Sequence, residues 1–419
     1  MQKARLLSWL AVATVLGVGA IASTPALAVK VGPVDDPLGV VKIAKGQPII
    51  VGGYWVLSGA DTALGLDSKR AVEVYFQQIK NQLVGHPIKF VVEDDLCSAE
   101  GGQTAGTKLA ANQQIVAVLG GACSSAATAA APILWKQGIV NVCTGCTAPR
   151  LTAADRGPSF DGFARTIYSD AEQAKGDAKW MYDVQKWKTA ATIHDGSPYS
   201  QQLAAAFKSE FEKRGGKVVA AEAVAPTDVD MRPVLTKIAT AKPDVLYYPT
   251  FIAAAGHITR QAKETAGLTK EIIGGGSLMA KDMVTAAGDA IVGFRITFPD
   301  VSKDALGKDY PKLVAEYKKM FGEEPIQGFH AQAYDAGRLL DVALQKVAVT
   351  DKDGNTYIGR KALRDAIFNA PKFDGMSGPI KCDENGNCGE FKFAVYQFTS
   401  GDPSSFDIGK NPKKVYPAN

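Results

Sequence analysis

The sequence is poor in the features by which most enzymes and nucleic-acid binders are recognised. Of 419 residues only four are histidine, His86, His194, His257 and His330, and their scatter lacks metal-ligand spacing. Lys and Arg outnumber Asp and Glu by only four, 47 against 43, and no basic cluster stands out, which argues against nucleic acid and anionic membranes as partners. There is no Gly-x-Ser-x-Gly elbow, no Gly-x-x-x-x-Gly-Lys-Ser/Thr loop and no His-Glu-x-x-His helix. Beyond the first thirty residues no apolar run approaches membrane-spanning length. What remains, 46% apolar and 21% charged residues, is ordinary globular composition, and the length predicts two or three domains.

The N-terminus is the exception. Lys3 and Arg5 precede the uncharged apolar run Leu6–Ala22, and Ala26-Leu27-Ala28 supplies a small-x-small cleavage pattern. Residues 1–28 therefore read as a cleaved signal peptide, and the mature chain, from about Val29, is expected to be periplasmic and soluble. With no cysteine near the cleavage site, no lipid-anchored product is expected.

In an oxidising compartment six cysteines read as three bridges. Cys382 and Cys388 flank the turn-rich Asp383–Asn387 and are expected to close a hairpin or short loop. Cys97 and Cys123 each follow a predicted strand, and parallel neighbouring strands would bring them together. Cys143 and Cys146 remain, in a Cys-x-x-Cys order that a thioredoxin-type redox pair also shows. Pro149, three residues after the second cysteine, stands where such a redox helix would run and favours a structural bridge.

Apolar strand-like runs recur at Ile49–Val51, Ile88–Val92, Ile115–Leu119, Ile139–Val142, Ala190–Ile193, Val218–Ala221, Val245–Tyr248 and Ile272–Ile273. Helical stripes lie between them, such as Ala71, Val72, Tyr75, Phe76 and Ile79, or Leu203, Ala206, Phe207 and Phe211. The alternation predicts an α/β protein with parallel sheets covered on both faces, split into two doubly wound lobes. Breaks in the rhythm fall at Phe160–Tyr168 and near Thr297–Asp300. After them come helices at Tyr310–Phe321, Gly328–Val347 and Arg360–Asn369, then an antiparallel-looking pair, Ile380–Asp383 and Glu390–Phe398. This order predicts an N-terminal extension at 29–47, one lobe from 48–165 with 299–377, and a second from 166–298 with 378–419, joined by several crossings that form a hinge.

In open parallel sheets ligands bind beyond the carboxyl ends of strands, near helix N-termini. The first such loop is Trp55–Asp61. After the third strand comes Gly120–Ala126, where Ser124 or Ser125 is expected to cap an alanine-rich helix and its free N–H groups to attract an anion. After the fourth comes Cys143–Pro149, with Thr147 able to offer a hydroxyl and an N–H. The second half carries His194–Tyr199, Pro249–Phe251 and Gly274–Ser277, in which Tyr199 and Phe251 are the aromatic candidates for closing over a ligand. His194, Asp195 and Ser197 are too close along one loop for triad geometry, and Gly274–Gly276 lacks a dinucleotide-binding order.

The run Asp94-Asp95-Leu96-Cys97 with Cys123-Ser124-Ser125 resembles the periplasmic leucine/isoleucine/valine-binding proteins of ABC transporters. So do Thr147-Ala148-Pro149-x-Leu151-Thr152, Arg165-Thr166, Asp228-x-Asp230, Asp244–Tyr248, and Gly378-Pro379 leading into Asp383-Glu384-x-Gly386. The resemblance covers nearly the whole mature chain in order. It implies the type I periplasmic binding protein fold, a Cys97–Cys123 bridge, and a ligand carboxylate held by Ser124 and Thr147. It further implies that the carbonyl of Gly145 accepts from a ligand ammonium, and that Tyr199 and Phe251 close from the second lobe.

Five positions depart from the family, among them Cys143 and Cys146, which are unusual in their loop and whose bridge would stiffen it. Gly276 stands where the family places the acidic partner of the ammonium, Leu64 where it has a tyrosine, and Trp55 where a small residue is usual. The expected ligand is therefore an amino-acid-like molecule, or a small carboxylate or amide that need not carry an α-ammonium. The ligand-binding candidates are Trp55, Ser124, Gly145, Thr147, Tyr199, Phe251 and Gly276, with no catalytic residue, cofactor or metal. The expected role is the monomeric receptor of an ABC importer that presents its closed form to a membrane permease. A ligand sensor of the same fold, and a thiol oxidoreductase using Cys143 and Cys146, are the alternatives.

Overall fold

The computed structural model describes residues 29–302 and 305–417; the leader at 1–28 lies outside them. Two sheets organise the chain. The first has six strands in the order Gln82–Leu83, His86–Asp94, Ile49–Trp55, Ile115–Gly120, Val140–Cys143 and Phe163–Arg165, parallel except for the short first one. Helices α1 (Thr62–Gln78), α2 (Ala99–Ala111) and α3 (Ser124–Lys136) connect its strands. Strand Ile115–Gly120 is buried at every residue, as its unbroken apolar sequence requires of a strand covered on both faces. The alanine-rich sequence of α3 has a packing cause: Gly102 and Gly106 of α2 lie so close to Ala126 and Ala130 that a Cβ at either glycine would strike α3.

The second sheet has seven strands, in the order Lys217–Ala223, Thr189–His194, Val245–Tyr248, Ile272–Gly274, Arg295–Pro299, Phe393–Gln397 and Lys413–Tyr416. The first five are parallel and the last two join antiparallel. Around it lie α4 (Asp170–Lys179), α5 (Pro198–Lys213), α6 (Arg232–Thr240), α7 (Ile252–Glu264) and α8 (Lys281–Ala287). The chain then returns to the first lobe as α9 (Tyr310–Phe321), α10 (His330–Val347) and α11 (Arg360–Phe368). It passes between the lobes three times: after Arg165, after Pro299 and before Phe393. Among the five parallel strands of each lobe, the second in sequence lies on one side of the first, and the third to fifth lie on the other. Each sheet thus has a switch point at which its connections diverge.

The C-terminal pairing differs from the sequence expectation. Ile380–Asp383 and Glu390–Phe398 do not form a ladder; a single bridge joins Ile380 to Gly389. Asp383 accepts the N–H groups of Asn385 and Asn387 at 2.9 Å each, so the segment closes as a side-chain-stabilised turn. Ala394, Val395 and Tyr396 are all buried, which suits an interior strand, and Phe393–Gln397 enters the second sheet instead. The turn itself, grouped with the second lobe on sequence, lies against Phe163–Arg165 of the first through Arg165 N–H to Gly386 O and Cys388 N–H to Arg165 O.

The segment after the leader is structured too. Val40–Ile43 pairs antiparallel with Thr356–Gly359. Asp36, 2% exposed, accepts N–H groups of Leu38, Lys361 and Ala362 at 2.9–3.0 Å, so the first turn of α11 is capped from the far end of the chain. All three disulfides, Cys97–Cys123, Cys143–Cys146 and Cys382–Cys388, are formed.

Candidate functional site

The loops at both switch points face each other across one narrow cavity. Its lining comprises Leu64, Ala122, Ser124, Gly145, Thr147 and Phe329 from the first lobe, Tyr168 from the crossing after Arg165, and Tyr199, Phe251, Gly276 and Ser277 from the second.

The first-lobe wall is polar and rigidly held. α3 starts at Ser124, and its N-cap is Cys123, whose side chain makes no capping bond because it is committed to Cys97. The structure therefore corrects the expectation of a serine cap. Ser124 Oγ accepts the N–H of Ala148 at 3.1 Å, and Ser125 Oγ donates to the carbonyl of Cys97 at 2.7 Å. Without a capping side chain, the first-turn N–H groups of α3 and the positive end of its dipole open beside Ser124. Opposite them, the Cys143–Cys146 loop is folded back by Gly145 N–H donating to Gly121 O at 3.1 Å. Arg165, wholly buried, donates to the carbonyls of Cys146 and Ala148 at 3.0 Å each and so clamps the chain on both sides of Thr147. Burial lowers its guanidinium to about 10.

The second-lobe wall is aromatic. Tyr199 stands in the first turn of α5 and packs on Phe251, the N-cap residue of α7, with ring centroids 5.3 Å apart. The Tyr199 hydroxyl accepts from Ser277 Oγ at 3.3 Å, and the same Oγ donates to the carbonyl of Thr250 at 2.8 Å. Asp195 accepts the N–H of Phe251 at 2.7 Å and the hydroxyl of Ser197 at 2.7 Å. The carboxylate thus holds this loop together, and the Ser197 hydroxyl is turned to it, not to His194.

The lobes also touch at the cavity's edges. Phe298 and Phe329 pack with tilted rings, centroids 5.2 Å apart, and Gln327 Nε2 donates to Gly276 O at 3.3 Å. Asp61, at the start of α1, accepts the N–H of Ile252 at the start of α7 at 3.3 Å. This is a closed arrangement.

No charged side chain is among the lining residues. The nearest carboxyl to Thr147 along the backbone pairing is Asp170, whose N–H donates to Thr147 O at 2.9 Å. Burial pushes its carboxyl up to about 8, against the pull of the Thr147 hydroxyl and Arg165.

Six of the seven sequence-derived ligand candidates, Ser124, Gly145, Thr147, Tyr199, Phe251 and Gly276, therefore come together, with Leu64 beside them. Trp55 does not line the cavity. Its ring is fully buried against Phe90, centroids 5.9 Å apart, and its indole N–H donates to Thr144 Oγ1 at 3.0 Å, supporting the bridged loop from beneath. The reasoning from sequence missed Ala122, Tyr168, Ser277 and Phe329. Ala122 and Ser277 sit in loops already singled out and Tyr168 ends the first break, whereas Phe329 carries no local signal.

The profile of the family described as "Periplasmic binding protein" matches residues 48–403. The chain belongs to that family. Among curated relatives, the leucine-, isoleucine-, valine-, threonine-, and alanine-binding protein of Pseudomonas aeruginosa is 27% identical over 314 residues, 75% of this chain and 79% of the relative. Among solved structures, the leucine-binding protein LivK of Thermotoga maritima superposes with a TM-score of 0.75 at 23% identity, covering 84% of this chain and 96% of that one. A solute-binding protein of an ABC transporter from Rhodopseudomonas palustris, solved with benzoate, gives a TM-score of 0.71 at 23% identity over 88% and 95%. These relatives are binding proteins, not enzymes. As a member of the periplasmic binding protein family, the chain is a solute-binding protein with the two-lobed α/β fold of the branched-chain amino acid group.

Proposed function

We propose that the protein is the periplasmic receptor of an ABC importer, and that its ligand is a small carboxylate without an α-ammonium, an aromatic acid foremost. One observation carries the reading: a cavity whose anion-attracting end is built from Ser124, Thr147 and the start of α3, whose other walls include four aromatic rings, and whose lining has no carboxylate. A carboxylate finds hydroxyl and N–H donors there. An ammonium sealed between the lobes would lack a charged partner in that lining, a costly arrangement. The benzoate held by the Rhodopseudomonas palustris neighbour supports this class. The apolar leader ending in Ala26-Leu27-Ala28 supports export. Closure around the ligand would supply the signal read by a membrane permease, through its differential affinity for the closed state.

Calorimetry of the purified mature protein against leucine, valine, benzoate and cyclohexanecarboxylate tests the ligand class. Binding of the simple acids with little response to the amino acids is expected; tight leucine binding with no response to the acids would refute it. Ligand-stimulated ATPase activity of the permease complex in proteoliposomes tests the importer role, and no stimulation by the loaded receptor would favour a sensor.

A further inference from the structure

The three bridges differ in what they do for the chain as a whole. Cys97–Cys123 spans a sequence separation of 26, Cys382–Cys388 one of 6 and Cys143–Cys146 one of 3. A disulfide constrains the unfolded chain less the shorter the loop it closes, so by chain entropy Cys143–Cys146 stabilises least. Yet its loop carries two lining residues of the cavity, Gly145 inside the ring and Thr147 directly after it. The Gly121 carbonyl is the hub of this loop. It accepts the N–H groups of Thr144 and Gly145 at 3.3 and 3.1 Å and the Thr144 hydroxyl at 3.2 Å. The sulfurs of Cys143 and Cys146 lie 3.0 and 3.3 Å from the same oxygen. Bridged, they carry no proton and ask nothing of it. Both are wholly buried, packed with Ala127, Ala131, Leu151 and Phe163.

We propose that the Cys143–Cys146 bridge is a thiol-sensitive latch on the carboxylate end of the site: bridged, the loop is preorganised for the ligand, and a dithiol that opens it lowers affinity without unfolding the lobe. In that step the S–S bond breaks, two electrons and two protons pass from the dithiol to the two sulfurs, and the reductant leaves as a cyclic disulfide. Two thiols cannot stay at bonding distance within a close-packed wall. Their S–H groups meet a carbonyl whose two lone pairs already serve three donors. The turn opens, and the placement of Gly145 and Thr147 goes with it. Arg165 keeps its hold on the carbonyls of Cys146 and Ala148, so the change stays local. The two cysteines are positioning residues. The proposal rests on the ligand carboxylate lying at Ser124 and Thr147, not on the ligand lacking an ammonium. Linkage makes the effect reciprocal: if opening costs about tenfold in affinity, a saturating ligand makes the bridge about tenfold harder to reduce, a shift of about 30 mV for a two-electron couple.

The test equilibrates the mature protein in dithiothreitol redox buffers with and without saturating benzoate, alkylates the free thiols, and reads each bridge's midpoint by peptide mass spectrometry. A Cys143–Cys146 midpoint about 30 mV more negative with ligand is expected. Calorimetry of the double variant Cys143→Ala with Cys146→Ala is expected to show binding about tenfold weaker than wild type, with a thermal melt establishing that the variant folds. A midpoint at this bridge that ignores the ligand, or a folded variant whose affinity stays within about twofold of wild type, overturns the latch while the carboxylate reading stands. If the variant does not fold, the midpoint shift decides. If wild type binds leucine and not benzoate, the ligand class proposed above falls and leucine replaces benzoate in both measurements. If it binds neither, both readings fall.

Discussion

Closure places a carboxylate where it loses water. Asp61 belongs to the first lobe and Ile252 to the second, so the bond between them exists only while the lobes are together. In that position burial pushes the Asp61 carboxyl from its usual 3.8 up to about 6, with Asp195 and Asp282 adding to the effect and the Ile252 N–H opposing it. Parting the lobes would remove the Asp195, Asp282 and Ile252 contributions and return the group toward water, where an aspartate titrates near its usual 3.8. The sign follows from linkage: the closed state holds a proton between about pH 4 and 6 that the open state has released, so acidification favours closure. Taken at face value, the shift makes apparent affinity at pH 5 about tenfold higher than at pH 8, and allowing for solvent screening of a partly exposed group leaves about three- to tenfold. Asp61→Asn keeps an oxygen able to accept from Ile252 but cannot ionise. It is expected to bind at pH 8 as tightly as wild type or up to about tenfold more tightly, and to lose the wild-type rise on acidification. Calorimetry from pH 8 to pH 5 with benzoate reads both effects. A wild-type affinity that is flat or falls on acidification, or an Asp61→Asn protein that keeps the full slope, would refute the reasoning.

Ser124→Ala removes the proposed ligand donor and also the acceptor for Ala148 N–H; an affinity loss of about tenfold with a stability loss of about 1 kcal/mol is expected, measured by calorimetry and urea melts, and unchanged affinity counts against the assignment. Cys97→Ala with Cys123→Ala opens a loop of sequence separation 26, and urea unfolding is expected to show a loss of about 3.5 kcal/mol, whereas a loss below about 1 kcal/mol would contradict the chain-entropy account. Burial raises Asp170 to about 8 and Asp95 and Asp177 to about 7, so the folded chain holds protons that the unfolded chain releases near pH 4. Stability is therefore expected to fall as pH rises from about 5 to 8, seen as a lower melting temperature at pH 8.5 than at pH 5.5, with Asp170→Asn reducing the drop; an unchanged drop in that variant would sink the assignment.

Much of this architecture was legible because its strands are buried on both faces. Continuous apolar runs such as Ile115–Leu119 announce such strands, and the glycine- and serine-rich loops after them announce where a ligand meets helix ends. The illegible parts depend on pairings made across distance. Phe393–Gln397 reads as one arm of a hairpin, but its partners are Arg295–Pro299 and Lys413–Tyr416, and only the second sheet selects them. Trp55 lies in a ligand-binding loop by sequence order, yet Gly53 and Gly120 leave room for its ring beneath the loop, and the indole found Thr144 instead of the cavity. Phe329 reaches the cavity because α10 packs on the first lobe and brings the residue just before it opposite Phe298.

The carboxylate of Asp36 has one further consequence. Its partners at Lys361 and Ala362 lie 325 and 326 positions later, so a chain emerging from the ribosome makes the cap long before it makes the helix to be capped. The first lobe must wait with α11 missing and its opening residues undocked, while the five parallel strands of the second lobe, which follow one another without such a gap, are free to assemble. Each lobe is thus completed by late chain: the first needs α11, and the second sheet needs its last two strands, Phe393–Gln397 and Lys413–Tyr416.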